Sequence, residues 1–383
     1  MEAICPGPHP LRLTKAVRRT HDYKALSPLD SFLRAIEASQ PDLIVPGDDL
    51  ASKHLQDLYH SQLEKNDDAG ARICKLIENS IGSPNSFPVV NARASFMEIA
   101  RQEGIRVPKT TVVADIHELE LCTSRLGLPL VLKADGSSSG EGVRIADTLP
   151  EAIRALRTLQ APPHWILVAK RALVNRDTRW IRPALERRRS VVNAQEFIAG
   201  RDVTSLLACW KGEVLAALHF EVINKQYERG PASVLRLLEN AEISSATEIL
   251  ARKLNLSGLH GFDFLLEKET ERPYLIEMNP RATQVGHLAL GPGRDLPAGL
   301  SAAVSGRAIQ ESHKVTDNPT IALFPQEWER NPQSTYLSSA YHDIPWEEPE
   351  LVRDCLRKTR RWTDWRSLED WIQVFATRRS PTL

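Results

Sequence analysis

The clearest alternation of hydrophobic and polar positions in this chain lies between residues 256 and 290. Two short apolar runs, Phe262–Leu266 and Tyr274–Met278, stand on either side of a charged segment, Glu267–Pro273. Short apolar runs separated by a polar turn are typical of a β-hairpin. We therefore predict two antiparallel strands here, with the charged segment as their turn.

Each predicted strand of this hairpin carries an acid. Because side chains of a strand alternate between two faces, Asp263 is expected opposite its phenylalanine neighbours, and Glu277 opposite Ile276 and Met278. Asn279 follows on the same face as Glu277. Converging carboxylate and amide oxygens suit a hard cation such as Mg²⁺ that also holds phosphate oxygens. A hairpin with solvated acids gives the same pattern, so the pattern alone leaves both interpretations open.

A second pattern is a small-residue loop between two apolar runs. The run Leu128–Lys133 ends in a lysine, the loop Gly136–Gly142 follows, and Val143–Ile145 predicts the next strand. Gly and Ser allow backbone N–H groups to approach an anion, and a strand-end lysine adds a point charge. Phosphate binding and a flexible linker both fit this loop. The chain contains no GxxxxGK[ST] motif, so a P-loop is excluded.

The remaining pattern predicts an α/β chain. In residues 1–88, a strand at Asp42–Pro46 between helices indicates a small α/β unit. Further helices are predicted at 92–103, 116–126, 150–159, 244–254, 297–305, 349–360 and 367–375. Further strands are predicted at 110–114, 165–169, 193–198, 203–209, 214–220, 222–223 and 320–324, with Lys211-Gly212 as a hairpin turn.

Composition narrows the function classes. A chain of 383 residues is long enough for two or three domains. Basic and acidic residues both number 49, which gives no reason to expect wholesale binding to nucleic acid or anionic membranes. The five cysteines show no CxxC spacing, and no apolar run approaches the length of a membrane span. A cytoplasmic protein with reduced thiols is the expectation.

One local departure from this charge balance is the basic segment Lys170–Arg189. A nucleic-acid patch, a solvated surface insertion and a surface for an anionic substrate all fit it. The absence of a matching basic face elsewhere in the sequence favours the solvated insertion.

The strand-end lysine with its Gly/Ser loop, the QEFIAGRD turn and the GFDFL…LIEMNPR hairpin occur in that order. With them the chain resembles the ATP-grasp superfamily, in particular its carboxylate–amine and carboxylate–thiol ligases, over about residues 89–306. The resemblance implies a small N-terminal α/β domain (1–88) and a two-lobed ATP-grasp domain (89–312, with a lid lobe at about 110–195). A C-terminal helical extension (313–383) would follow.

The resemblance also implies roles for individual residues. Arg93 and Lys133 match residues that contact the phosphates, where Arg93 replaces the usual lysine. Asp263, Glu277 and Asn279 resemble the metal ligands, where Asp263 replaces a more common glutamate. The remaining matches are Ser138, Ser139 and Gly140 in the lid over the phosphates, Gln195, Glu196, Phe197 and Ile198 at the adenine, Asp202 at the ribose, Lys225 near the γ-phosphate, and Arg281 at the acyl phosphate.

The reaction implied by the resemblance is ATP-dependent joining of a carboxylate to an amine through an acyl phosphate, with release of ADP and phosphate. ATP and Mg²⁺ (or Mn²⁺) are the expected cofactors, and a small carboxylate and an amine are the expected partners, without nucleic acid or membrane. A homodimer is the default assembly. A carboxylate–thiol ligase and a non-catalytic ATP-binding sensor remain alternatives. His287 and Arg294 are open between a substrate contact and a structural role, and His260 is expected only to cap a turn.

Overall fold

The computed structural model describes residues 1–7, 9–135, 142–161, 190–228, 230–310 and 312–357. Its helices are α1 (Pro28–Ser39), α2 (Asp49–Leu63), α3 (Asp68–Ile81), α4 (Phe87–Val90), α5 (Arg93–Gln102), α6 (Ile116–Leu126), α7 (Leu149–Gln160), α8 (Ala241–Lys253), α9 (Leu296–Ser305), α10 (Gln326–Arg330) and α11 (Tyr336–Ser339). Its strands are β1 (Glu2–Cys5), β2 (Arg19–Asp22), β3 (Thr110–Val113), β4 (Leu130–Ala134), β5 (Val143–Ala146), β6 (Val192–Glu196), β7 (Gly200–Trp210), β8 (Glu213–Lys225), β9 (Ala232–Leu237), β10 (Gly258–Glu267), β11 (Pro273–Asn279), β12 (Thr320–Leu323) and β13 (Tyr341–Asp343).

The strands form three sheets in the described part of the chain. A central sheet has the order β11-β10-β7-β8-β9-β12-β13, a small sheet has the order β3-β6-β4-β5, and β1 pairs with β2 in parallel. The predicted strand near residue 320 therefore joins the central sheet as β12, with β13 beyond it. This mixed α/β architecture confirms the predicted fold class.

The central sheet carries apolar side chains on both faces, because other elements cover part of each face. Alternation along β7 sends Val203 and Leu207 into a core with α8, and Leu206 and Ala208 into a second core. This second core contains α9 and the segment that follows β11, around Leu288. The sheet thereby becomes a rigid support for side chains at its β11 edge.

The described elements cover only one face of the small sheet. Its buried face packs against α6 and α7 through residues such as Leu119, Leu130 and Leu156. The opposite face carries Val131, Lys133 and their strand neighbours. This face contacts β11 through Lys133, so the two sheets face each other.

The predicted hairpin is present as β10 and β11, antiparallel and longer than predicted. A β-bulge modifies the alternation: Asp263 pairs with Glu277, Phe264 pairs with Leu275, and Ile276 has no partner in β10. The prediction that Ile276 and Met278 lie on the same face is therefore wrong, since Leu275 and Met278 are the buried pair. A bulge inserts one residue and bends the strand, which also frees backbone groups for other partners.

The predicted strand at Asp42–Pro46 is absent. Its apolar character has another cause: Leu43 and Ile44 pack against two different cores. The segment is held by contacts outside any sheet, since Ile44 N–H donates to Ser80 Oγ at 2.9 Å and the Pro46 carbonyl accepts from Ala282 N–H at 3.0 Å. It is an extended connection that joins the N-terminal region to the central sheet.

Several predictions lie outside the described residues, namely the strand at 165–169, the basic segment at 170–189 and the helix at 367–375. The helix predicted from residue 349 is described only as far as residue 357. Among the helices that the structure describes, none combines the length and the apolar character needed to cross a membrane.

Candidate functional site

The three predicted metal ligands lie together at the edge of the central sheet. Asp263 and Glu277 are register partners, and Asn279 pairs with Gly261. Asn279 Nδ2 donates to Asp263 Oδ2 at 2.9 Å. The bulge at Ile276 turns Glu277 toward the same side as Asp263, so two carboxylates and an amide share one surface.

Burial makes this acidic pair unfavourable in the protein alone. Burial, followed by the negative charge of Glu277, raises the pKa of Asp263 to about 6, although hydrogen bonds from Thr204 and Asn279 oppose the rise. A cation between the two carboxylates would remove this repulsion. No described group of three or more His, Cys, Asp and Glu side chains can hold a metal, so the amide oxygen of Asn279 and non-protein oxygens would complete this set.

Arg281 is fixed beside the acids by three hydrogen bonds. Its Nε donates to Asp49 Oδ1 at 2.9 Å, its Nη2 to Asn279 Oδ1 at 3.3 Å, and its Nη1 to the Ala282 carbonyl at 3.2 Å. Asp49 lies in the first turn of α2. The N-terminal region thus contacts a predicted catalytic residue directly. The sequence offered no signal for this contact, because 232 positions separate the two residues.

Lys133 reaches the central sheet from the small sheet. Its side chain is buried, and Nζ donates to the Ile276 carbonyl, which lies at the bulge, at 3.4 Å. Burial lowers the pKa of Lys133 to about 8, with the nearby charge of Glu277 opposing the shift. An anion brought close to a buried ammonium of this kind favours its charged form.

Arg93 joins the two sheets. Its Nη2 lies 2.5 Å from Glu277 Oε1, and its Nη1 donates to the Ala134 carbonyl at 3.3 Å and lies 3.8 Å from Asp135 Oδ1. The predicted phosphate contact and a predicted metal ligand are therefore paired with each other in this structure.

Two polar residues that the sequence reading missed complete this region. Asn193 is fully buried on β6, and its Nδ2 donates to Asp135 Oδ1 at 2.8 Å. Its Oδ1 has no hydrogen-bond partner among the described residues. Burial raises the pKa of Asp135, with Arg93 opposing the rise. The available signal was an asparagine in the strand predicted at 193–198, directly after Val191 and Val192, which favours a buried polar contact.

The predicted adenine segment lies at the end of β6. Gln195 is buried and donates from Nε2 to Thr110 Oγ1 at 2.9 Å. The Glu196 N–H donates to the Lys109 carbonyl at 2.9 Å. Phe197 is 37% exposed, and Ile198 continues the connection to β7. The N–H of Glu196 is thus already engaged, which leaves the backbone beyond it for a ligand.

Asp202 and Lys225 were predicted to contact different parts of the nucleotide. The structure brings them together as an ion pair, with Lys225 Nζ 2.8 Å from Asp202 Oδ2. Both side chains are partly exposed. Asp202 lies on β7 two residues before Thr204, the register partner of Asp263, so this pair shares the acidic face of the sheet.

The other residues considered in the sequence have protein partners. His287 Nε2 lies 2.8 Å from Asp343 Oδ2, a contact that raises the pKa of His287. Arg294 pairs with Glu239 at 2.5 Å. His260 is buried, lies within β10 and hydrogen-bonds from Nε2 to the Ser257 carbonyl at 2.7 Å. Ser138, Ser139 and Gly140 lie outside the described residues.

The site therefore has two walls. We call Asp202, Asp263, Glu277, Asn279 and Arg281 the central-sheet wall, which is rich in acids. We call Val131, Lys133, Ile145, Asn193 and Gln195 the small-sheet wall, which combines apolar side chains, amides and a buried lysine.

Comparison with known proteins adds a family to this geometry. A protein-family profile described as "ATP-grasp domain" matches residues 93–285, which is half of the chain. This range contains both walls, so the resemblance predicted from the sequence motifs is confirmed.

Among curated proteins, the chain is similar to large chains of carbamoyl phosphate synthase. The protein from Rubrobacter xylanophilus is 22% identical over 199 residues, 51% of this chain and 17% of that protein. The protein from Synechocystis sp. is 25% identical over 238 residues, 60% of this chain and 20% of that protein. The chain thus spans a fifth or less of the length of these two relatives.

Solved structures share the fold. A biotin carboxylase domain of 2-oxoglutarate carboxylase from Hydrogenobacter thermophilus, in complex with MgADP, ADP and bicarbonate, has a TM-score of 0.55 and 18% identity. The match covers 80% of this chain and 64% of that chain. N5-carboxyaminoimidazole synthetase from Staphylococcus aureus, complexed with ADP, has a TM-score of 0.53 and 12% identity, with 81% and 71% covered.

Proposed function

This chain belongs to the ATP-grasp domain family, and on that premise we propose that it is an ATP-dependent ligase that joins a carboxylate to an amine. The proposed products are an amide, ADP and phosphate. The ligands of the two structural relatives, MgADP and ADP, support ATP and Mg²⁺ as the cofactors of this chain.

One observation carries the proposal: an acidic cluster and a buried lysine face each other across the gap between two sheets. Asp263 and Glu277 suit a divalent cation, and Lys133 suits the phosphates that such a cation accompanies. Each wall has a pKa shifted by burial, which is a feature of sites that bind charged ligands. The bound Mg²⁺ would supply charge neutralisation for phosphoryl transfer.

The small-sheet wall fits the base of the nucleotide. Val131 and Ile145 are register partners and share a face with Lys133, and Ile145 is 42% exposed. We propose that the adenine ring packs on these two side chains, with the backbone after Glu196 recognising its edge. Burial of an apolar ring on apolar side chains stabilises such a complex, while the polar groups fix its orientation.

In the proposed reaction, the protein neutralises the charge of the phosphoryl group and aligns the reactants. A carboxylate is a poor electrophile, and conversion to an acyl phosphate gives it a good leaving group. Lys225 and Arg281 would neutralise the phosphoryl group in transfer, because both cations lie beside the acidic face where the cation and phosphates meet. The amine then attacks the acyl carbon, and phosphate leaves.

The test is ADP release from Mg-ATP with pooled small carboxylates, each pool measured with and without pooled amines. We expect ADP release that requires both an acid and an amine. A requirement for an acid and a thiol would replace this proposal with a carboxylate–thiol ligase. Tight binding of Mg-ATP without ADP release in any pool would contradict catalysis and support an ATP sensor.

The assembly and the domain boundaries are also proposed. We propose a homodimer, as the Hydrogenobacter domain is described as a dimer, and a domain boundary at about residue 88. We propose no boundary at residue 312, because β12 and β13 belong to the central sheet. Sedimentation equilibrium and limited proteolysis, respectively, test the homodimer and the boundary at about residue 88.

A further inference from the structure

The strand that carries Lys225 loses its regular pairing just before this residue. The β8–β9 register shifts between Val222 and Asn224, and again between Asn224 and Lys225. A regular ladder fixes the direction of each side chain, whereas an irregular one leaves it to other contacts. The position of the Lys225 ammonium therefore depends on its ion pair with Asp202 and on what holds its sequence neighbours.

Helix α10 holds the residue on each side of Lys225. Gln226 Nε2 donates to the carboxylate of Glu329. Asn224, with its amide oriented so that both of its polar atoms are satisfied, accepts from Arg330 Nη2 at 3.2 Å. Two consecutive residues of α10 thus contact the two sequence neighbours of Lys225.

Helix α10 is itself anchored by a buried carboxylate. Glu327 is fully buried and accepts from Ser233 Oγ on β9 at 2.8 Å and from Arg330 Nε at 2.7 Å, with a further hydrogen bond from Ser334. Burial alone would raise the pKa of Glu327, but hydrogen bonds led by that of Arg330 outweigh it and keep the pKa below its usual value. A buried carboxylate is costly to leave without partners, so these hydrogen bonds hold α10 in one position.

We propose that α10 is a positioning element for Lys225, and that its Glu329 and Arg330 set the place of the ammonium at the transferring phosphate. This inference rests on the proposed function, in which Lys225 acts at the γ-phosphate. Helix α10 lies beyond the segment 93–285 that the family profile matches, so the site of this chain depends on a contact from outside that segment.

The experiment measures the position of Lys225 without knowledge of the substrate. The full chain is labelled with a small amine-reactive reagent, and the rate at Lys225 is read by mass spectrometry with and without Mg-AMP-PNP. In the wild type, we expect Mg-AMP-PNP to protect Lys225. In Gln226→Ala and in Glu329→Ala, we expect this protection to fall about tenfold, because small displacements of a catalytic group have effects of that order or larger.

Three comparisons separate positioning from a general loss of structure. Glu329→Gln keeps an oxygen that accepts from Gln226 and should recover most of the protection. A double variant that combines Gln226→Ala and Glu329→Ala should resemble each single variant, because all three lack the same hydrogen bond between these two side chains. Gln102→Ala removes an exposed Gln–Glu hydrogen bond of 2.9 Å on α5 and should leave protection unchanged.

The outcomes distinguish the two proposals. Absence of protection at Lys225 in the wild type would overturn the role of Lys225 in the proposed function. Protection in the wild type that persists fully in Gln226→Ala and Glu329→Ala would overturn the role of α10 alone. An equal loss in Glu329→Gln and Glu329→Ala would also contradict it, since the hydrogen bond would then not be the cause.

Discussion

The two walls of the candidate site respond to burial in opposite directions. On the central-sheet wall, burial and Glu277 raise the pKa of Asp263 to about 6, whereas on the small-sheet wall burial lowers the pKa of Lys133 to about 8. In both cases burial favours the neutral form. A ligand that brings a cation to the acids and phosphates to the lysine stabilises the charged form of both groups. The unfavourable burial of each wall thus becomes affinity for a metal–phosphate group.

The walls also differ in how they are held. Arg281 and Asn279 on the central-sheet wall are fixed by each other and by Asp49 of α2. The small-sheet wall is joined to them through Arg93 and through the contact of Lys133 with the bulge carbonyl. We therefore expect substitutions on the central-sheet wall to affect turnover, and those on the small-sheet wall to affect nucleotide affinity.

The largest effect is expected for Glu277→Gln. Loss of this carboxylate removes a charge from the cation site, and Mg²⁺-dependent ADP release should fall by about 100-fold or more. The measurement is the rate of ADP release at saturating Mg-ATP. Glu269→Gln, an exposed acid in the turn of the same hairpin, is the matched control and should retain full activity. Equal rates in the two variants would contradict a metal-binding role for Glu277.

On the opposite wall, Lys133→Met should weaken binding of Mg-AMP-PNP. A hydrogen bond to a charged group contributes about 1.5–3 kcal/mol, so the Kd should rise on the order of 10- to 100-fold. Because the wild-type ammonium is buried at a cost, the free variant should unfold at a temperature no lower than the wild type. Calorimetric titration and thermal unfolding measure the two quantities. Lys268→Met, at an exposed position, should change neither of them.

Because the pKa of Lys133 is lowered, protein stability and the affinity for Mg-AMP-PNP should each change with pH in a defined direction. Below a pH of about 8 the lysine is charged in both the folded and the unfolded protein, and the cost of burying it is fully present. Between about 8 and 10.5 the unfolded chain binds more protons, so this residue makes stability rise with pH while the affinity for Mg-AMP-PNP falls. Urea unfolding and titration across this range should show both trends in the wild type. Lys133→Met should lack both trends; their persistence in the variant would assign them to another group.

Asp49→Asn tests whether the N-terminal region fixes Arg281. The amide is a weaker acceptor for Arg281 Nε, so kcat should fall about threefold to tenfold, with little change in the KM for ATP. Asp57→Asn is the matched control on the same helix, since Asp57 also pairs with a basic residue, Lys53, at 3.5 Å. An equal decrease in kcat for both variants would indicate a general effect on α2.

The sequence was sufficient where local pattern decides structure. Alternation placed Asp263 and Glu277 on paired strands, and the end of an apolar run placed Lys133 at the site. The sequence was insufficient where residues far apart in the chain decide the structure. The bulge at Ile276 depends on pairing between strands, and the contact of Arg281 with Asp49 depends on how two regions pack.

This dependence on distant residues also explains why the strand predicted at Asp42–Pro46 is absent and why the burial of Asn193 was not predicted. The run Asp42–Pro46 is apolar because it lies between two cores, and an apolar run of this length reads as a strand when its neighbours are unknown. The buried amide of Asn193 is satisfied by Asp135, which follows β4. Neither environment has a local signature that identifies its partner.

The smallest effect is expected for Ile145→Ala on the small-sheet wall. Ile145 is 42% exposed, so its truncation should leave the stability of the free protein almost unchanged. If the adenine ring packs on it, the variant loses part of that apolar contact, about 1 kcal/mol, and the Kd for Mg-AMP-PNP should rise about fivefold. Val112→Ala is the matched control, because Val112 is 48% exposed on the same sheet but lies on β3, at the opposite edge of the sheet from β5. Inorganic triphosphate lacks the base, and its affinity should be the same in both variants and in the wild type. A weaker affinity for triphosphate in Ile145→Ala would place the phosphates, and not the base, against this part of the wall.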